Sequence, residues 1–141
     1  APIKITFRYE IPDYALRGEG EMFFRPMVMN NLYNQVRSYI WIDTSVENRK
    51  YGFKDGCSRL VELDETIQLP AGYKLVSAAK DETMQGVGAD FEGSLVQKGN
   101  KVLLHNRLAL KKRVYEASDW ESFRNAVNAH KAYGEYLVIK K

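Results

Sequence analysis

The sequence predicts a mainly β protein: an antiparallel β-sandwich with one α-helix at about residues 118–132 and a final strand. Three observations lead there. Apolar and polar residues alternate in several segments, the pattern of strands with one face in a core. Turn chemistry recurs between those segments, at Pro12-Asp13, Pro70-Ala71-Gly72 and Gly99-Asn100. A helical period holds over a single stretch, late in the chain. The 141 residues suit one domain spanning 1–141, since domains commonly run to roughly 100–200 residues.

Taken in order, Ile3, Ile5, Phe7, Tyr9 and Ile11 share one strand face, and Lys4, Thr6, Arg8 and Glu10 share the other. Pro12-Asp13 ends this strand, and a loop through Gly18 and Gly20 leads to a second at Glu21–Arg25, which Pro26 stops or confines to a sheet edge. Residues 27–35 fit a helical turn or a loop equally well. Val36, Ile40, Ile42 and Val46 alternate with Arg37, Tyr39, Trp41 and Asp43, which reads as a strand over 36–46. Residues 47–58, rich in charge and Gly, read as a long loop.

From Leu60 to Leu69, Val61, Leu63, Ile67 and Leu69 oppose Glu62, Asp64, Thr66 and Gln68, another strand. Pro70-Ala71-Gly72 turns the chain into a short strand at Tyr73–Ser77, and 79–90, with Gly86 and Gly88, reads as a flexible loop. Strands at 91–97 and 101–115 flank Gly99-Asn100, residues that tolerate the positive φ of a tight hairpin. The second arm places Val102, Leu104, Leu108, Leu110 and Val114 on one face and His105, Arg107, Lys111, Arg113 and Tyr115 on the other. In the helix, Ser118 and Glu121 have the spacing of a capping box, Trp120, Phe123, Val127 and His130 form the buried stripe with His130 at its border, and Gly134 ends it. A final strand covers 136–139.

Composition narrows the function. A net charge of +3 is too small to mark a nucleic-acid binder, and no apolar run is long enough to span a membrane. Seventeen aromatic residues (nine Tyr, six Phe, two Trp) stand beside only two His and one Cys, a mixture that favours pleated, half-buried surfaces over catalysis. A first residue other than Met suggests a processed protein or an excised piece.

Chemistry-bearing candidates are few. Cys57, His105 and Asp119 offer the residue types of a thiol-dependent acyl transferase or peptidase. Cys57, however, precedes a strand instead of opening a helix, where the dipole would activate the thiol, and Asp119 suits the first turn of a helix. No catalytic residue is therefore assigned. His105 and His130 lack ligand spacing, so no metal and no cofactor is expected. Gly86-Val87-Gly88-Ala89-Asp90 lacks the Lys-Ser/Thr and following helix of a phosphate loop. Two surfaces remain: a basic face of Arg107, Lys111 and Arg113 beside Tyr115, suited to an acidic partner, and an aromatic platform of Tyr39 and Trp41, able to stack on sugar rings.

The second half of the chain resembles the β-rich domain of unknown function that follows the catalytic core in bacterial transglutaminase-like proteins. The likeness rests on Ile67-Gln68-Leu69-Pro70-Ala71-Gly72-Tyr73, where that family has a strand ending in Leu-Pro-x-Gly-Tyr, and on the hairpin up to Leu104-His105-Asn106-Arg107. It continues in the aromatic helix start at Ser118–Phe123 and the closing Leu137-Val138-Ile139-Lys140-Lys141. Ile11-Pro12-Asp13-Tyr14-Ala15, Phe24-Arg25-Pro26 and Glu47-Asn48-Arg49-Lys50-Tyr51 match less closely. Lys54-Asp55-Gly56-Cys57 departs from the family's nucleophile motif, because Asp and Gly are transposed and Ser58-Arg59 stands where Lys-Asp should follow.

The resemblance implies a non-catalytic accessory domain of a larger extracytoplasmic protein, periplasmic or at the cell surface. Its partner would be the catalytic domain of the same parent chain or another protein domain, with a peptide or cell-wall substrate in reach. The alternative is a stand-alone glycan-binding module using Tyr39 and Trp41.

Overall fold

In a computed structural model, residues 11–30, 40 and 42–141 are described. The expected strand over 3–11 and the platform residues Tyr39 and Trp41 lie outside them, Ile11 excepted. Among the described residues are two antiparallel four-stranded sheets, a two-stranded ribbon and a single long helix.

The smaller sheet joins β1 (Leu16–Arg17), β2 (Glu21–Phe24), β5 (Lys74–Ser77) and β10 (Leu137–Lys140) in the order β1-β2-β10-β5. The larger joins β4 (Arg59–Gln68), β6 (Glu82–Gln85), β7 (Ala89–Lys98) and β8 (Lys101–Leu110) in the order β4-β8-β7-β6. The ribbon pairs β3 (Phe53–Lys54) with β9 (Val114–Tyr115). Three turns of sequence chemistry hold. Pro26 follows β2 and opens the single turn α1 (Met27–Asn30), Pro70-Ala71-Gly72 links β4 to β5 with Gly72 at φ +84°, and Gly99-Asn100 closes the β7–β8 hairpin between Lys98 and Lys101. Of that pair only Gly99 takes positive φ, +61°, which is the type II′ arrangement, not type I′.

Helix α2 (Trp120–Ala132) follows a 3-10 turn at Ala117–Asp119. It packs on β7 and β8, and Phe123, Ala126, Val127 and His130 enter the core beside Phe91, Leu104, Leu108, Ile139 and Tyr115. No helix among the described residues is long and apolar enough to cross a membrane.

Four local expectations are corrected. Residues 42–46 form no strand; instead the segment runs beside α2, where the Trp120 indole N–H donates to the Val46 carbonyl at 3.1 Å and the Arg124 Nε–H to that of Thr44 at 3.1 Å. Residues 79–90 are not a featureless loop, because β6 pairs in register with β7. Gly86 lies so near α2 that a Cβ there would stand 2.5 Å from the Ser122 Cβ.

The helix start is capped differently from the expected box. Asp119 accepts from the Glu116 N–H at 2.9 Å, and Ser118 is exposed. Finally, the alternation of β8 does not run on to 115. Lys111–Arg113 leave the ladder and β9 resumes in the opposite phase, so Val114 is 63% exposed and Tyr115 1%. A one-residue shift of phase exchanges every side chain between faces.

Candidate functional site

The larger sheet has a dry and a wet face. β8 shows why: Val102, Leu104, Asn106, Leu108 and Leu110 are buried, and the residues between them are partly exposed. On the wet face two rungs run across three strands. Asp64, His105 and Ser94 stand opposite one another on β4, β8 and β7, and Glu62, Arg107 and Glu92 form the adjacent rung. The His105 Nδ1 lies 2.7 Å from the Asp64 Oδ1. Because a carboxylate only accepts, the imidazole presents its N–H there. A shallow groove of about 390 Å³ adjoins this pair, lined by Thr66, Ser94, Val96 and Leu103 among others.

On the dry face His130 is fully inside, not at the border of its stripe; burial pulls its pKa down to about 4. Its Nδ1 meets the Asn106 Oδ1 at 2.5 Å, and the Asn106 amide N–H₂ donates to the His130 carbonyl at 3.4 Å. Neutral and enclosed, His130 is a core residue.

At the start of α2, Phe53 stacks on Tyr115 with ring centroids 4.7 Å apart and meets Trp120 and Phe123 edge-on. The Arg49 guanidinium covers this cluster, 4.4 Å from the Trp120 ring centre and 4.9 Å from that of Phe53. A polar cleft of about 430 Å³ and a larger, more apolar one of about 610 Å³ flank the helix start and share Ser118, Glu121 and Asn125.

The residues expected to form the basic face are dispersed. Arg107 sits between Glu62 and Glu92 on the wet face. The Lys111 ammonium donates to the Gly86 carbonyl at 2.8 Å and pairs with Asp90 at 2.7 Å, and the bond to Asp90 chiefly holds that carboxyl below its ordinary range. Arg113 is exposed where the chain leaves the sheet. Tyr115 is in the core, where burial raises its phenol pKa, and its ring is not available to a partner.

A Cys-His-Asp assembly does not form. Cys57 is exposed, before the start of β4. Cys57 precedes β4, whose first residue, Arg59, lies five positions, about 16 Å of strand, from Asp64, the residue opposite His105. Asp119 is engaged elsewhere: the Lys112 ammonium donates to both its oxygens at 2.7 and 2.8 Å, which with the Glu116 N–H lowers its pKa. The Asp64–His105 rung escaped sequence reasoning. The sequence pattern puts both residues on outer faces, but only the pairing register of β4 with β8 sets them opposite each other.

Comparison with known proteins places this geometry in context. A crystal structure of a candidate protease from Parabacteroides distasonis ATCC 8503 shares the fold, with a TM-score of 0.67 at 11% sequence identity over 87% of this chain. The matched region is 24% of that protein, so the present chain spans about a quarter of its length. No curated protein matches the sequence. The profile of a domain family of unknown function with a solved structure, DUF3858, matches residues 20–138, most of the chain, and the protein therefore belongs to the DUF3858 family.

Proposed function

We propose that this protein is a non-catalytic accessory domain of a larger extracytoplasmic bacterial protein with a transglutaminase-like catalytic core. In this reading it rests on that core or helps it hold a peptide or cell-wall substrate. The observation that carries the reading is one of proportion: the same fold accounts for about a quarter of a longer chain described as a candidate protease. The separation of Cys57, His105 and Asp119 supports it, because a thiol nucleophile needs its imidazole within hydrogen-bond reach. Lys111 and Arg113 are exposed and Arg107 partly so; with Lys111 paired to Asp90, Arg107 and Arg113 are the first contacts to probe.

The test is made in the parent protein. Deleting this domain is expected to lower thermal stability, activity or substrate binding, and the Arg107→Ala/Arg113→Ala pair to weaken the same property. A deletion that leaves all three unchanged sinks the proposal.

A further inference from the structure

The wet face of the larger sheet holds a set of donors that the accessory role does not use. Asp64 and His105 are directly opposed across β4 and β8, and Glu62 is two residues along β4 on the same face. One carboxylate oxygen from each acid and one ring nitrogen of His105 lie within 4.8 Å of one another. We propose that Glu62, Asp64 and His105 bind a first-row divalent cation of the Zn²⁺ class.

Three features favour such an ion. Bonds to nitrogen and oxygen of about 2.0–2.2 Å place neighbouring donors about 3.0–3.4 Å apart around an ion. The Asp64–His105 contact of 2.7 Å therefore needs to open by only a few tenths of an ångström, and the exposed Glu62 carboxylate closes the remainder by a change of rotamer. In that exchange the cation takes the place of the Nδ1 proton, and the neutral imidazole carries its proton on Nε2. The backbone is already fixed, because β8 lies between β4 and β7 in continuous register.

Charge acts in the same direction: Glu62 and Glu92 stand opposite Arg107, and Asp64 lies on the adjacent rung, so three carboxylates gather about one guanidinium. An imidazole among carboxylates suits Zn²⁺, Ni²⁺ or Cu²⁺ better than the all-oxygen preference of Mg²⁺ or Ca²⁺. Three protein donors leave a coordination position open, to water or to a donor from another molecule.

Titration calorimetry of the intact chain with Zn²⁺ tests the proposal, with the His105 ring protons followed by NMR. One saturable equivalent is expected, with a shift of the His105 resonances. Both His105→Ala and Glu62→Gln should abolish that equivalent while circular dichroism stays unchanged, and Cys57→Ser should retain it. Glu62 is exposed, so its substitution keeps the test open even if the His105 variant folds poorly. No saturable binding in the unsubstituted chain overturns the site, as does binding that survives Glu62→Gln or disappears in Cys57→Ser.

Discussion

The Nδ1 of His130 on α2 lies 2.5 Å from the amide oxygen of Asn106 on β8, in the centre of the core. Burial draws the His130 pKa down to about 4 from an ordinary 6.5. The unfolded imidazole thus takes a proton at higher pH than the folded one, and between the two values the unfolded state holds more protons. Stability is full above about pH 6.5 and falls as pH drops towards 4, by about 3 kcal/mol in all for this ring. Chemical denaturation at pH 7, 6, 5 and 4.5 should show that loss, and His130→Gln should flatten it. An unchanged slope in the variant would assign the acid sensitivity to other groups.

Gly93 is a second point of tension in the same core. A Cβ there would stand 2.5 Å from the Tyr133 Cζ and 2.6 Å from the Phe91 Cζ. Tyr133 cannot simply swing aside, because it is buried and its hydroxyl donates to the Lys80 carbonyl at 2.8 Å. Gly93→Ala is expected to cost about 1–3 kcal/mol through overpacking. Gly18→Ala is the contrast: its Cβ would make an ordinary 3.5 Å contact with Phe23, and its effect should stay within about 0.5 kcal/mol. Urea midpoints of the two variants decide the matter.

Lys112 and Asp119 tie the end of the long hairpin to the start of α2. Lys112→Met removes the main partner of a nearly buried carboxylate but leaves the Glu116 N–H bond. A loss of about 1–3 kcal/mol at pH 7 is expected. Since the lysine holds the Asp119 pKa below its usual 3.8, the stabilisation is present above that value and disappears as pH falls through the lower, folded one. The difference between variant and parent should therefore narrow under strong acid; a difference equally large there would point to lost packing instead.

Cys57 is an exposed thiol between β3 and β4. Iodoacetamide is expected to alkylate it at the rate of an ordinary peptide thiol, and Cys57→Ser to leave the melting temperature unchanged. A markedly faster reaction would reopen the case for a nucleophile.

Local chemistry was enough to locate most of the long elements. The alternation of Leu60–Leu69 marks β4, Gly99-Asn100 places the hairpin, and the spacing of Trp120, Phe123 and Val127 marks the buried side of α2. These patterns are legible because side-chain direction follows from backbone period alone. The failures occurred where a distant segment decides the outcome. At 42–46 the alternating pattern predicts a strand, but the Thr44 and Val46 carbonyls accept from side chains of α2. Alternation puts Tyr115 on the outer face, whereas the phase reversal at Lys111–Arg113 follows from pairing with β3, whose residues lie about sixty positions earlier.

The candidate site divides in the same way. Period and composition were sufficient for a β-rich domain, for Asp64 and His105 on outer faces, and for the scarcity of nucleophiles and imidazoles. Register between β4 and β8 alone brings Asp64 to His105, and α2 docking alone turns His130 into a buried, neutral partner of Asn106. The physical reason is range. Side-chain direction is a property of a few consecutive peptide units, whereas contact and desolvation depend on which strands and helices meet, and that is settled only when the whole core closes.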